Sequence, residues 1–377
     1  MRIKTKILIV DDSRIFRSAI EESLSGEDDI EVIGSVRNGI KAIEFIRSHR
    51  PDLVTLDIEM PDMDGLETLK EIRKINASDN NIPPIGVIMV SSVTNKGADI
   101  TIKALEAGAF DFITKPEGKM LAESIEILHR RLVIKIRYFA SRRISSYLAK
   151  GPVRLSSSPV YKQKSARSGT MSARPGAFVS SRIKAILIGV STGGPRALAE
   201  ILPPLCEKVS VPIFIVQHMP PTFTQSLANS LNLRCSYTVT EGLNNSVVQE
   251  RHVYIAPGGR HMLLRRRRGN ILIITNKQPP EKGCRPSADV LFRSAATVYG
   301  GDVIAIILTG MGADGTKGAG TLKRSGAYVI AQDEESSVVW GMPGSAEASG
   351  NVDKILPLEN IPEAVSDIIH RLKGAGQ

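Results

Sequence analysis

Two α/β domains, each a mostly parallel sheet wrapped by helices, are what this sequence predicts, and three observations predict them. The chain has 377 residues, more than one ordinary core would use. In both halves short apolar runs alternate with segments of helical period. Glycines, acids and hydroxyl residues stand just past the C-terminal ends of those runs, the edge where open α/β sheets bind ligands.

The first half supplies four clear strands, Lys6–Val10, Leu53–Leu56, Gly86–Val90 and Ala109–Ile113. Asp11 and Asp12 follow the first, Asp57 the second, Ser91 and Ser92 the third, and Lys115-Pro116 the fourth. Three carboxylates gathered at one edge repel each other unless a divalent cation sits among them, and hard oxygen donors suit Mg²⁺. A lysine and a hydroxyl converging on one carboxylate suit capture of a phosphoryl group. Each residue alone also reads as a solvated strand-end group, but all of them in order do not.

Between the halves lies a basic stretch. Lys135 to Lys184 holds twelve Lys and Arg and no Asp or Glu, against a net charge of +10 for the whole chain. From Ser141 to Ser181 it is rich in serine, with Pro152, Pro159 and Pro175 and no sustained periodicity. It reads as a disordered linker rather than a nucleic-acid reading head. The expected division is therefore 1–137, a linker over 138–182, and 183–377.

In the second half Ala185–Ile188 reads as a strand, Gly189–Gly194 as a turn free of bulky side chains, and Pro195–Glu200 as a helix start. Ser191 in that turn would project above the sheet edge, near the unpaired amides of a helix N-terminus. By itself such a turn fits a nucleophile or a phosphate site equally well. Val211–Val216 is the next strand, with His218 at its end before Pro220-Pro221 and a helix start at Thr222–Leu227. Val253–Ile255 and Ile271–Ile274 flank the basic run Arg265–Arg268, which reads as a solvated hairpin edge. Asp302–Leu308 is a strand ending in Thr309–Gly315, with Asp314 in the small-residue loop.

Ser191, His218 and Asp314 thus stand at three strand ends, the residue types of a nucleophile, its base and the acid that fixes the base. The Gly189-x-Ser191-x-Gly193 spacing also fits the nucleophile turn of α/β-hydrolases, whose acid precedes the histidine. That order would require His370, which lies in an amphipathic terminal helix over Ile361–Arg371, so the order Ser, His, Asp is preferred.

Composition narrows the classes further. The chain is 42% hydrophobic and 23% charged, and no apolar run approaches the roughly 18 residues of a membrane span. Its N-terminus runs straight into a strand, unlike a signal peptide. Cys206, Cys235 and Cys284 are odd in number and far apart, which predicts reduced cytosolic thiols with no disulfide framework or zinc motif. Cys284 stands beside Arg285, which could activate it somewhat, but it reads first as a spectator. A cytoplasmic protein that neither binds nucleic acid nor spans a membrane is expected. No helix-turn-helix pattern marks the second half, and a nucleotide-binding output domain would leave His218 and Asp314 unexplained.

The first half resembles the receiver domain of two-component response regulators through Asp11-Asp12, Asp57–Gly65, Ser91 and Lys115-Pro116. The resemblance implies a doubly wound flavodoxin-like sheet, phosphorylation of Asp57 by a histidine kinase, and Mg²⁺ held by Asp12, Asp57 and the backbone carbonyl of Glu59. Asp11 would act through a water, and Ser91 and Lys115 would follow the phosphoryl group.

The second half resembles the catalytic domain of the chemotaxis protein-glutamate methylesterases, the CheB family. The shared segments are Ser191–Pro195, Gln217–Pro220, Ile255–Gly259, Arg285–Phe292, Leu308–Gly315 and Trp340–Gly344. The resemblance implies a Rossmann-like parallel α/β fold with no cofactor in that domain. It implies hydrolysis of glutamate methyl esters, and deamidation of glutamines, on the cytoplasmic helices of methyl-accepting chemoreceptors, giving sensory adaptation. In that scheme Ser191 attacks, His218 is the base and Asp314 orients it. Amides near Thr192, Gly193 and Met311 would form the oxyanion hole. Thr192 would also bond His218 or substrate, and Arg285 would meet an acidic receptor surface. The unphosphorylated receiver is expected to cover the Ser191 cleft.

Overall fold

In a computed structural model of the chain, the described residues are 4–78, 82–116, 120–149 and 183–374. The first unit contains β1 (Thr5–Val10), α1 (Arg14–Leu24), β2 (Ile30–Val36), α2 (Gly39–His49), β3 (Leu53–Asp57), α3 (Gly65–Ser78), β4 (Gly86–Ser91), α4 (Asn95–Glu106), β5 (Asp111–Thr114) and α5 (Leu121–Ala149). The second contains β6 (Ala185–Val190), α6 (Gly194–Lys208), β7 (Ile213–Gln217), α7 (Phe223–Asn232), β8 (Thr238–Glu241), β9 (His252–Ile255), β10 (His261–Arg267), β11 (Asn270–Asn276), α8 (Ala288–Tyr299), β12 (Val303–Ile307), α9 (Thr316–Arg324), β13 (Tyr328–Gln332), α10 (Met342–Ala348), β14 (Lys354–Leu356) and α11 (Ile361–Gly374).

The first sheet runs β2-β1-β3-β4-β5 with every pairing parallel. Its central strands are buried on both faces, which is why β3 and β4 read as continuous apolar runs. Side chains cap the helices that follow: Ser13 accepts from the Phe16 amide, Asn38 from Lys41 and Thr94 from Gly97. This is the flavodoxin-like order, and it brings the ends of β1, β3, β4 and β5 to one edge.

The second sheet runs β14-β13-β12-β6-β7-β9-β8, again parallel throughout. Chain order reverses between β6 and β12, so a crevice opens there at the C-terminal edge. β6, β7 and β12 are buried along their whole length.

Two expectations need correction. The basic run does form a solvated hairpin edge, but Val253–Ile255 is not its first strand. Arg265–Arg267 is the end of β10, which pairs antiparallel with β11, and Arg268 and Gly269 make the turn at positive φ. Val253–Ile255 belongs instead to the large sheet. The linker was expected from 138, but helix α5 runs on through that boundary to Ala149. The remainder of the expected linker, 150–182, lies outside the described residues.

The two units pack together. Helix α4 lies against α6 and α7, and the Phe112 and Phe223 rings meet at 4.7 Å between centroids. Glu106 accepts from Ser230 Oγ at 2.7 Å and pairs with Arg234. One buried apolar cluster passes from Ile102 and Leu105 of α4 into Leu198 and Leu227 of α6 and α7.

Candidate active site

At the first unit's edge Asp11 and Asp57 are buried and Asp12 is exposed. One carboxylate oxygen from each of the three falls within 4.8 Å of the others. Lys115 Nζ bridges Asp11 Oδ2 at 2.9 Å and Asp57 Oδ2 at 2.8 Å. Asp57 Oδ1 accepts the Ile58 amide at 2.8 Å. Burial, then the charge of Asp11, push the Asp57 carboxyl up to about 6 although Lys115 opposes them. This crowding of hard oxygen donors fits a small divalent cation, whose charge would relieve the repulsion that Lys115 only partly offsets. Glu59 lies on the same loop, with its side chain 3.7 Å from Lys96. Ser91 Oγ accepts from Thr101 Oγ1 at 2.9 Å and donates to the Ser92 carbonyl at 3.0 Å.

In the second unit Ser191 sits at the switch point between β6 and β12. Its amide donates to the Thr309 carbonyl at 2.9 Å, and its carbonyl accepts from Gln217 Nε2 at 2.9 Å. Gly193 adopts φ 81° so that α6 can begin immediately. Gly194 has no room for a side chain, because an added Cβ would stand 1.9 Å from Gln217 Oε1. Gln217 therefore buttresses the serine turn, a role its place in a shared segment did not disclose.

His218 follows β7 and its backbone is tied to β6 through the Val190 carbonyl at 3.2 Å. Its Nε2 lies 2.8 Å from Asp314 Oδ2. Asp314 is 2% exposed and sits at the N-terminus of α8. It accepts from Ser287 Oγ at 2.8 Å, Ala288 N at 2.6 Å and Asp289 N at 3.1 Å. Those helix-terminal amides stabilise the carboxylate. Burial opposes its charge, yet the His218 hydrogen bond and charge with these donors hold Asp314 down at about 2. Burial alone would lower the imidazole, but hydrogen bonds and charge from Asp314 and Cys284 raise His218 to about 9.

Asp314 occupies Nε2, so Nδ1 is the nitrogen left to take a proton. It faces Cys284 Sγ at 3.7 Å. Ser191, His218 and Cys284 line the same cavity of about 560 Å³. Among the described residues no hydrogen bond joins Ser191 Oγ to His218; catalytic hydrogen bonds often tighten only when substrate binds. Cys284, read from the sequence as a spectator thiol, thus lies against the base.

The remaining expected residues are placed as follows. Thr192 Oγ1 does not bond His218; it donates to Asp111 Oδ2 of β5 at 2.7 Å, in the other unit. Lys135 of α5 pairs with the same carboxylate oxygen. Arg285 lines the cavity, but its guanidinium donates to the Lys277 and Gln278 carbonyls at 3.3 and 3.2 Å. The Met311 side chain packs against an apolar cluster that holds first-unit residues and Val339 of the second unit. Asp111, Phe112, Ile113, Thr114, Arg131 and Lys135 form the cavity's far wall, so the first unit covers the Ser191 cleft.

Residues 186–365 match the family model of the CheB methylesterase, and residues 7–126 that of the response regulator receiver domain. A protein-glutamate methylesterase/protein-glutamine glutaminase of Trichodesmium erythraeum is 42% identical over 98% of this chain and 99% of its own length. One of the same name from Pyrococcus horikoshii is 40% identical over 99% of this chain and 96% of its own. The crystal structure of the Thermotoga maritima CheB methylesterase catalytic domain matches at 43% identity and a TM-score of 0.49, covering 50% of this chain and 99% of that one. On the full-length match to these relatives and the two family models in tandem, the chain belongs to the CheB methylesterase family, with a response-regulator receiver in front of the catalytic domain.

Proposed function

We propose that this protein removes methyl groups from glutamate methyl esters of chemoreceptors, and converts selected glutamines to glutamate, under control of phosphorylation at Asp57. The observation that carries the reading is the His218–Asp314 pair, anchored by Ser287 and the α8 amides, beside Ser191 in one cleft. Both reactions are acyl transfers. Ser191 Oγ attacks the side-chain carbonyl as His218 Nδ1 takes its proton, and methanol or ammonia leaves with that proton. A water activated by the same nitrogen then releases the glutamate. Asp314 holds the imidazole with its proton on Nε2 and steadies the cation that forms. Amides near Thr192, Gly193 and Met311 would receive the oxyanion, and Arg285 would meet acidic substrate surface.

Regulation would pass through β5. Lys115, paired with Asp57, follows directly on its end, and its start carries Asp111, bonded to Thr192. A phosphoryl group on Asp57 draws Lys115 and Ser91 toward itself and shifts the population away from the covered cleft. Bound among Asp11, Asp12, Asp57 and the Glu59 carbonyl, Mg²⁺ would neutralise charge on the phosphoryl oxygens during transfer. The phosphodonor would be a histidine kinase. The reading places the protein in the cytoplasm at receptor tails, without nucleic acid. Among the described residues no helix is long and apolar enough to cross a membrane. Methanol release from methylated receptor membranes tests the reading: Ser191→Ala should abolish it while leaving the circular dichroism spectrum unchanged, and retained release would overturn it.

A further inference from the structure

We propose that Cys284 Sγ and His218 Nδ1 form an inhibitory binding site for a soft divalent cation of the Zn²⁺ type. The two atoms lie 3.7 Å apart. A tetrahedral Zn²⁺ with a sulfur at about 2.3 Å and an imidazole nitrogen at about 2.0 Å holds them roughly 3.5 Å apart. The side chains therefore need to move only a few tenths of an ångström, about the adjustment a rotamer well allows.

The imidazole is already oriented as a metal ligand would be. Its Nε2 proton goes to Asp314 Oδ2 at 2.8 Å, which leaves the Nδ1 lone pair free on the side of the ring where the sulfur lies. Metal-binding histidines show this pattern, with the second ring nitrogen held by a carboxylate. Asp314 is itself fixed by Ser287 Oγ and two backbone amides. His218, Cys284 and Asp314 place one ligand-type atom each within 4.8 Å of one another. The nearby cations face other partners: Lys282 Nζ lies 3.1 Å from Asp289, and the Arg285 guanidinium donates to carbonyls of residues 277 and 278. The cavity offers room for water to complete the coordination.

The donor set also separates this site from the Asp11–Asp12–Asp57 cluster, whose hard oxygens select Mg²⁺. On binding, the Cys284 thiol gives its proton to solvent and a sulfur–metal bond forms, while the Nδ1 lone pair makes the second bond. No oxidation is involved. A metal on Nδ1 removes the lone pair that takes the Ser191 proton, so hydrolysis stops. That inhibitory clause rests on the proposed mechanism; the binding itself does not.

Two measurements on the full-length protein decide the matter. The first is Co²⁺ titration, followed by thiolate-to-metal charge-transfer absorption, with Cys284→Ser and Cys284→Ala as comparisons. The wild type should develop the band, Zn²⁺ should abolish it, both variants should lack it, and His218→Asn should weaken binding by at least about tenfold. Cys206 and Cys235 are present in every protein compared, so their contribution subtracts out. A band of equal strength in the Cys284 variants overturns the site. The second is Zn²⁺ inhibition of ester hydrolysis, each protein scaled to its own metal-free rate. The half-inhibiting concentration should rise at least about tenfold in Cys284→Ser. Equal inhibition of that variant, or none of the wild type, overturns the inhibitory role. A Cys284-dependent band in a protein without esterase activity would uphold the metal site and sink the esterase reading.

Discussion

Replacing Asp111 by alanine should switch the unphosphorylated enzyme on. Asp111 Oδ2 accepts from Thr192 Oγ1 at 2.7 Å, one residue from Ser191, and both residues are buried. A hydrogen bond to a charged group of this kind contributes about 1.5–3 kcal/mol. The bond exists only while the receiver covers the cleft, so its loss moves the closed-to-open equilibrium by that amount, a factor of about 10 to 150. The basal rate should rise by up to that factor and stop at the rate of the phosphorylated enzyme. Lys135 would lose its partner too, but that pair lies within the first unit and is lost from both states alike. Asp111 Oδ1 also accepts the Phe112 amide, so the variant loses some receiver stability as well. Asp111→Asn keeps that amide contact while removing the charge, and it should give a smaller rise. The assay is methanol release without phosphodonor, at receptor concentrations below saturation, with small-angle scattering to follow opening. A basal rate in Asp111→Ala equal to wild type, in a folded protein, would refute the assignment of β5 as the coupling element.

Four other outcomes follow from the geometry. Because His218 stands at about 9, the rate should climb with pH through the alkaline range, and Asp314→Asn should move that limb toward about 6.5 while cutting the rate by about 10⁴. The same shifts set stability, since the raised His218 favours folding fully below about 6.5 and loses that contribution as pH rises through about 9. The depressed Asp314 contributes above its ordinary 3.8 and loses its effect as pH falls through about 2, which thermal melts across pH would register. Gly194→Ala forces a methyl against Gln217 and should cost about 1–3 kcal/mol, seen as a lower Tm together with a lower kcat. Lys115→Ala leaves Asp11 and Asp57 facing each other without their cation, so phosphodonor activation should vanish and Mg²⁺ should raise Tm more than in wild type.

Much of the architecture was legible because it is local. β6, β7 and β12 are apolar runs buried on both faces, and the small-residue turns at Gly193 and Gly315 adopt the positive φ that their glycines permit. Placing Ser191, His218 and Asp314 at strand ends needed only the rule that parallel sheets carry chemistry at one edge. What the sequence hid depends on contacts between distant segments. Cys284 is 66 positions from His218, and its contact follows from how the loop before α8 returns to the crevice. The Asp111–Thr192 bond spans 81 positions and two units, so no periodicity could signal it. The basic run was legible as a solvated hairpin edge, because Arg265–Arg267 lies on an exposed strand end; its first strand, His261–Arg267, was hidden by the charges themselves.

The most direct test of the account is methanol release from methylated receptor membranes by wild-type and Ser191→Ala protein, each with and without a small phosphodonor and Mg²⁺. Release that requires Ser191 and rises with phosphodonor is the expected result, since one chain would then hold both the esterase and the cover that restrains it. Release from Ser191→Ala, or wild-type release indifferent to phosphodonor, would contradict the account.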